Sequence, residues 1–174
     1  DFSVRIWEAT SGICILVLRG HTGDVLQAAF NHDGSLIVSC SIDKTVRIWD
    51  STSGAFLQEL RGHTGDVLSA FFNHDGSLIV SASFDYTLRI WDVRSGACLQ
   101  ELRGHTGDVL SAAFNHDGSL IVSGSADMTV RIWDSRSGIC VLVLRAHTSD
   151  VFSANFNHDG SRIVSASDDM TVRI

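Results

Sequence analysis

The chain has 174 residues, 44% hydrophobic and 19% charged, with a net charge of −7 and four cysteines. This is the composition of a folded globular chain, and no apolar run is long enough to cross a bilayer as a helix. The acidic balance argues against a reader of nucleic-acid backbones, which needs clustered Lys and Arg to release counterions, and with no basic, apolar leader the expected location is the cytoplasm.

In chain order, Asp1–Arg19 contributes two short apolar segments, Ser3–Trp7 and Cys14–Leu18. A 42-residue unit follows at Gly20–Arg61, with four apolar segments, Val25–Phe30, Leu36–Ser41, Thr45–Trp49 and Phe56–Leu60. Their shortness and β-branched content predict strands. Asn31-His-Asp-Gly-Ser35 and Ser51-Thr-Ser-Gly54 between them are turns, each with a glycine where positive φ is tolerated. The unit returns at Gly62–Arg103 and Gly104–Arg145, two copies identical at 32 of 42 positions, and begins again at Ala146–Ile174. Sheets apolar on both faces cannot stand alone and must be sandwiched between neighbours.

Asp1–Ile6 and Asp169–Ile174 occupy the same phase of the repeat. The last sheet would take Val151–Phe156 and Arg162–Ser167 as its inner strands and Cys14–Leu18 as its outermost. Its third strand is Ser3–Trp7 or Thr171–Ile174, and the N-terminal segment is expected there because it alone carries a tryptophan.

Each unit opens on Gly-His (Gly20-His21, Gly62-His63, Gly104-His105) and carries Trp-Asp about 28 residues on (Trp49-Asp50, Trp91-Asp92, Trp133-Asp134). This pattern resembles the WD-repeat β-propeller family over the whole chain. Ala146 departs from it in place of Gly before His147, Glu8 in place of Asp after Trp7, and Asn-His-Asp-Gly where the family often has Ser-Pro-Asp-Gly. The resemblance implies an all-β fold, a β-propeller of four-stranded antiparallel blades with four blades per chain. Residues 1–174 form one unit, with repeats 20–61, 62–103, 104–145, and 146–174 completed by 1–19. It also implies that the first strand of each blade is innermost and the last outermost.

In the family, a His, a Ser, an Asp and a Trp of each blade form a hydrogen-bonded tetrad. The resemblance maps it onto His21, Ser39, Asp43, Trp49; His63, Ser81, Asp85, Trp91; His105, Ser123, Asp127, Trp133; and His147, Ser165, Asp169 or Asp1, with Trp7. Because side chains alternate along a strand, Ser41 shares a face with Ser39 and the serine is open by one step. Ser, His and Asp together invite a hydrolase reading. Four copies of a catalytic triad make no chemical sense, whereas four copies of a structural network do, and a buried indole N–H needs an acceptor.

Cys14, Cys98 and Cys140 share one repeat position, with Phe56 in the fourth copy, and so read as buried small residues of an outer strand, not as a disulfide framework. His32, His74, His116 and His158 recur singly in the turns, without a second ligand at metal-site spacing, and read as solvated. No cofactor, metal or catalytic residue is expected.

The copies differ most at five positions: Gln27, Ser69, Ser111, Ser153; Ala29, Phe71, Ala113, Asn155; Cys40, Ala82, Gly124, Ala166; Ile42, Phe84, Ala126, Asp168; and Lys44, Tyr86, Met128, Met170, with Phe2 in phase with the last. In the family the turn carrying the last two sets lies on the ring's top face, and the innermost strand lines its channel. The expected partner-binding surface is therefore Gln27, Ile42, Lys44, Phe71, Phe84, Tyr86, Met128, Asn155, Asp168 and Met170. Exposed aromatics on a turn tip are costly unless something covers them.

The outer strands come in two kinds: Gln58-Glu59 and Gln100-Glu101 are polar, Leu16-Val17 and Leu142-Val143 apolar. The apolar pair marks an expected contact side. Propellers hold roughly four to eight blades, and an open arc of four exposes two apolar faces. An eight-bladed ring made by a two-fold dimer would bury both. The expected function is non-enzymatic recognition of a protein or peptide on the top face. The alternatives are an engineered or recently amplified structural propeller without a ligand, or a fragment of a larger repeat-bearing signalling protein.

Overall fold

The computed structural model describes all 174 residues and contains only strands and turns. Short β-branched segments interrupted by Gly, Asn and Asp every few residues leave no stretch long enough for a stable helix. A two-stranded sheet, β1 (Ser3–Trp7) and β2 (Cys14–Arg19), comes first. Three complete four-stranded blades follow: β3 (Val25–Phe30), β4 (Leu36–Ser41), β5 (Thr45–Asp50), β6 (Phe56–Arg61); β7 (Val67–Phe72), β8 (Leu78–Ser83), β9 (Thr87–Asp92), β10 (Cys98–Arg103); and β11 (Val109–Phe114), β12 (Leu120–Ser125), β13 (Val130–Asp134), β14 (Cys140–Leu144). The last sheet holds β15 (Val151–Phe156), β16 (Ile163–Ser167) and the two-residue β17 (Val172–Arg173). All neighbours are antiparallel and consecutive in sequence, as short turns require.

The turns are closed by their own side chains. In the first complete blade, Asp33 Oδ1 accepts from the Ser35 N–H at 2.8 Å, Asn31 Oδ1 accepts from the Leu36 N–H at 2.9 Å, and Gly34 takes φ 75°. The β5–β6 turn is capped by Asp50, whose Oδ1 accepts from the Ser53 N–H at 2.7 Å. The aspartate of each Trp-Asp pair is thus a turn residue. We call the edge bearing the β3–β4 and β5–β6 turns lower; the β4–β5 turns lie on the upper edge.

Apolar side chains are buried between sheets, not within one. One cluster joins Val38, Val46, Ile48 and Leu60 of the first complete blade to Val67, Ala70, Ile79 and Trp91 of the next. A second repeats it one blade further on, with Trp133 in the place of Trp91. Burial on both faces explains why β4, β8 and β12 read as continuous rather than alternating apolar runs. Cys40 sits in the first cluster, where burial pushes its thiol up to about 12.

Two expectations are corrected here. The third place in the last sheet is taken by β17, with Ser165 opposite Arg173 and Ala166 opposite Val172, not by the N-terminal strand. A single tight turn links β16 to β17, the Met170 N–H donating to Ser167 O at 3.2 Å, so this pairing needs little loop closure. β1 is instead paired with β2 along its length, from Ser3–Arg19 to Trp7–Cys14. Together they pack on the first complete blade through Val4, Leu18, Ile37 and Trp49. The strands of the fourth repeat therefore stay divided between the two ends of the row. Second, Cys98 is exposed, and Cys14 and Cys140 are only partly covered; all are free thiols. An outermost strand has no neighbour on its far side, so a side chain there is not sealed.

Candidate functional site

Two sets of polar residues stand out, one inside the blades and one along the upper edge. Inside the first complete blade, His21 Nδ1 lies 2.8 Å from Asp43 Oδ2 and Nε2 lies 2.8 Å from Ser39 Oγ, while the Trp49 indole N–H donates to the same Ser39 Oγ at 2.8 Å. A carboxylate only accepts, so Nδ1 carries the proton; Nε2 then accepts from the Ser39 hydroxyl, whose oxygen accepts from Trp49. The next blades repeat this with His63, Ser81, Asp85 and Trp91, and with His105, Ser123, Asp127 and Trp133. Ser39, not Ser41, meets the ring. Ser41 Oγ accepts from the Asp43 N–H and so sets the turn.

Asp43 is the most heavily bonded member, accepting also from Thr22 N–H, Thr45 N–H and Thr45 Oγ1–H at 3.0, 3.0 and 2.6 Å. Burial alone would raise its pKa, but hydrogen bonds from Thr45, Thr22 and His21 outweigh this and hold it at about 2. Burial pushes the His21 and His105 imidazoles below their ordinary value, over the opposing pull of Asp43 and Asp127. The Asp–His–Ser order is that of a hydrolase triad. Yet Ser39, Ser81 and Ser123 are fully buried and already engaged by an indole, leaving no space for a substrate at the hydroxyl.

The last sheet brings together His147, Ser165 and Asp169 with the same 2.8 Å contacts, but no tryptophan joins them. Trp7 is 56% exposed on β1, and Asp1 bonds Ser3 and Arg5 instead of His147. Beside His147 and Ser165 lies a cavity of about 260 Å³ lined by Val130, Leu144, Ala146 and Ile163.

Along the upper edge, the turns between second and third strands carry Ile42 and Lys44, Phe84 and Tyr86, Ala126 and Met128, Asp168 and Met170. All of these but Ala126 are exposed. The five non-glycine residues with positive φ are Phe2, Lys44, Tyr86, Met128 and Met170, at 57–69°. They occupy one repeat position, and it is among the most variable in the chain. Gly65 permits the close approach beneath, since a β carbon there would lie 2.7 Å from the Asp85 nitrogen.

The innermost strands divide the remaining expected residues. Phe71 and Asn155 are exposed. Gln27 instead bridges two blades, its Oε1 accepting from the Ala70 N–H of the next blade at 2.8 Å, and Ser69 and Ser111 do the same for Ala112 and Ala154 at 3.1 and 3.2 Å. This variable position is thus a clasp between blades, with Gln27 half-buried there.

Sequence reasoning missed an arrangement on the lower edge. His32, His74, His116 and His158 are exposed, but their rings stand one above the next, with centroids 4.1, 4.2 and 4.8 Å apart. No group of three or more His, Cys, Asp or Glu side chains is arranged to hold a metal ion. No helix is long and apolar enough to cross a membrane.

A family model described as WD domain, G-beta repeat matches residues 12–50, 54–92, 96–134 and 138–174. No curated protein matches the chain.

Proposed function

The chain belongs to the WD-repeat family, and on that premise we propose that it is a non-enzymatic platform that captures a protein or peptide along its upper edge. Repeats of this family imply a protein-interaction scaffold. One observation supports the finer reading: a left-handed backbone is held by Lys44, Tyr86, Met128 and Met170 rather than by glycine. A side chain there costs roughly 1 kcal/mol against glycine. Retaining bulky, exposed side chains of three different kinds at that position is what a recognition edge requires and what a merely structural turn does not. Ile42, Phe84, Asp168, Phe71 and Asn155 extend the edge.

The tetrads are the ties that hold this edge in place, because Asp43, Asp85 and Asp127 belong both to a tetrad and to the turn that presents the variable residues, and Asp169 does the same in the three-membered set of the last sheet. We take residues 1–174 as one recognition unit, and a second copy of the chain as the partner that completes the ring. Light scattering over a range of concentrations checks the pairing, with a mass twice 18.9 kDa expected.

The recognition edge is tested by selecting random linear peptides on the immobilised chain and measuring their affinity for Phe84→Ser/Tyr86→Ser. Selected peptides should bind the wild type and lose about tenfold or more in affinity to the variant, at an unchanged melting temperature. Equal binding by both proteins, or a large fall in melting temperature, sinks the reading.

A further inference from the structure

The lower edge carries titratable groups that the tetrads and the upper edge leave unused. Each Asn-His-Asp-Gly turn delivers one histidine, and stacking of the sheets converts a spacing of 42 residues into a ring separation of 4.1–4.8 Å. His74 is the most crowded, with neighbours at 4.1 and 4.2 Å. Between the turns lie clefts with no apolar lining, about 330 Å³ around His32 and His74 and about 260 Å³ around His116 and His158.

The turns lie close together across each junction. A β carbon at Gly76 would lie 3.4 Å from Asn31 Nδ2, and Gly118 and Gly160 stand in the same relation to Asn73 and Asn115 at 3.7 Å. Each turn is therefore seated on the one before it. From the adjoining β5–β6 and β13–β14 turns, Ser51 and Ser135 hydroxyls donate to Gly34 O and Gly118 O at 2.6 Å and hold each blade's two lower turns together.

The charged groups beside the rings are Asp33, Asp75, Asp117 and Asp159 in the same turns, and the adjoining turns of this edge carry Asp50, Asp92 and Asp134 with Arg94 and Arg136, with Arg162 at the end of the row. The four aspartates nearest the rings are engaged by Ser35, Ser77, Ser119 and Ser161 at 2.8–2.9 Å and also line the clefts beside the rings, so their charge offsets part of the repulsion.

We propose that His32, His74, His116 and His158 form an acid-responsive ladder that loads the blade junctions with like-charge repulsion as the pH falls through the range in which imidazole titrates. The rings meet at a tilt of 46–51° with centroids 4.1–4.8 Å apart, in contact but not parallel. A charged ring opposes charging of the next one 4–5 Å away. The turns meet at each blade junction, so the repulsion acts there. Partial loss of solvent beside its neighbours comes first, then the charges of His32 and His116, and together they hold the His74 pKa below the ordinary value against the opposing pull of Asp75, although the ring stays largely exposed. The sign follows: a ring that binds protons less readily folded than unfolded stabilises the fold above its ordinary pKa and loses that contribution as the pH drops.

The experiment is an NMR titration of the histidine Cε1–H resonances in the full chain, paired with melting curves at pH 7 and pH 5. His74 should take its proton last, and His74→Asn should raise the midpoints of His32 and His116 by roughly half a pH unit while moving that of His158 less. The variant with all four turn histidines replaced by Asn should lose less melting temperature between pH 7 and pH 5 than the wild type. Four independent midpoints, unaffected by His74→Asn, would overturn the ladder. Coupled midpoints with an identical acid loss in the two proteins would overturn its action on the junctions. If the fourfold variant does not fold, His74→Asn serves for the melting comparison.

Discussion

The upper and lower edges of this molecule use the same device and fill it differently. On both edges a tight turn is closed by an aspartate accepting from residues two further on, and ends in a left-handed residue. On the lower edge that residue is Gly34, Gly76, Gly118 or Gly160, at φ 72–75°, and the turn is the same in every copy. On the upper edge it is Lys44, Tyr86, Met128 or Met170, at φ 64–69°, and no two complete blades agree. Backbone geometry alone would place glycine in both. The lower turns thus keep the conformation cheaply for stacking, whereas the upper turns hold it against strain to display a side chain.

The largest effect expected follows from the two aspartates. Asp85 accepts from Thr87 N–H, Thr87 Oγ1–H, Thr64 N–H and His63, so Asp85→Ala leaves a buried imidazole and several backbone donors unpaired and should cost about 3 kcal/mol in chemical denaturation. Asp75 serves only its own turn, through Ser77, and Asp75→Ala should cost about 1 kcal/mol. Equal losses would break the distinction between an anchored edge and a self-contained one.

The left-handed residues give a smaller pair of effects, of opposite sign. Gly76→Ala should lose about 1 kcal/mol, because alanine is strained at φ 74° and its β carbon meets Asn31. Tyr86→Gly should gain about 0.5 kcal/mol by releasing strain, while weakening capture of any peptide that binds the wild type. A Tyr86→Gly protein that is less stable than the parent would show that the tyrosine packs, and would remove the argument for a recognition edge.

Much of this organisation was legible from the residues. The strand positions followed from the Gly, Asn and Asp punctuation, and the choice of His21, Asp43 and Trp49 from the repeat. The serine was not, because Ser39 and Ser41 point to the same face and only the distance to the ring separates them. The clasp at Gln27 was not legible, because variation at a residue of an innermost strand is the same signal whether it meets a ligand or clasps the next blade. The position of Trp7 depended on which of two in-phase segments wins a strand pairing, and chain connectivity favoured β17. The histidine column was hidden for a different reason. Spacing of one whole repeat looks like isolation along the chain, yet in stacked sheets residues at identical positions are nearest neighbours. The recurrence of His32 at 74, 116 and 158 was the signal.

The mildest test is acid, and it separates the two edges once more. His21 and His105, inside the blades below the upper turns, have pKa values lowered by burial, so they bind fewer protons folded than unfolded. Stability from them is complete above about pH 6.5 and declines as the pH falls below it. Asp43 and Asp127, held at about 2, contribute in a lower window, fully present above about pH 4 and lost toward pH 2. A melting series should therefore show two steps, and replacing the four lower-edge histidines by Asn should reduce only the first. What then remains between pH 7 and pH 5 belongs to the tetrads. If nothing remains, the buried histidines keep their protonation state through this range, and acid acts on the lower edge alone.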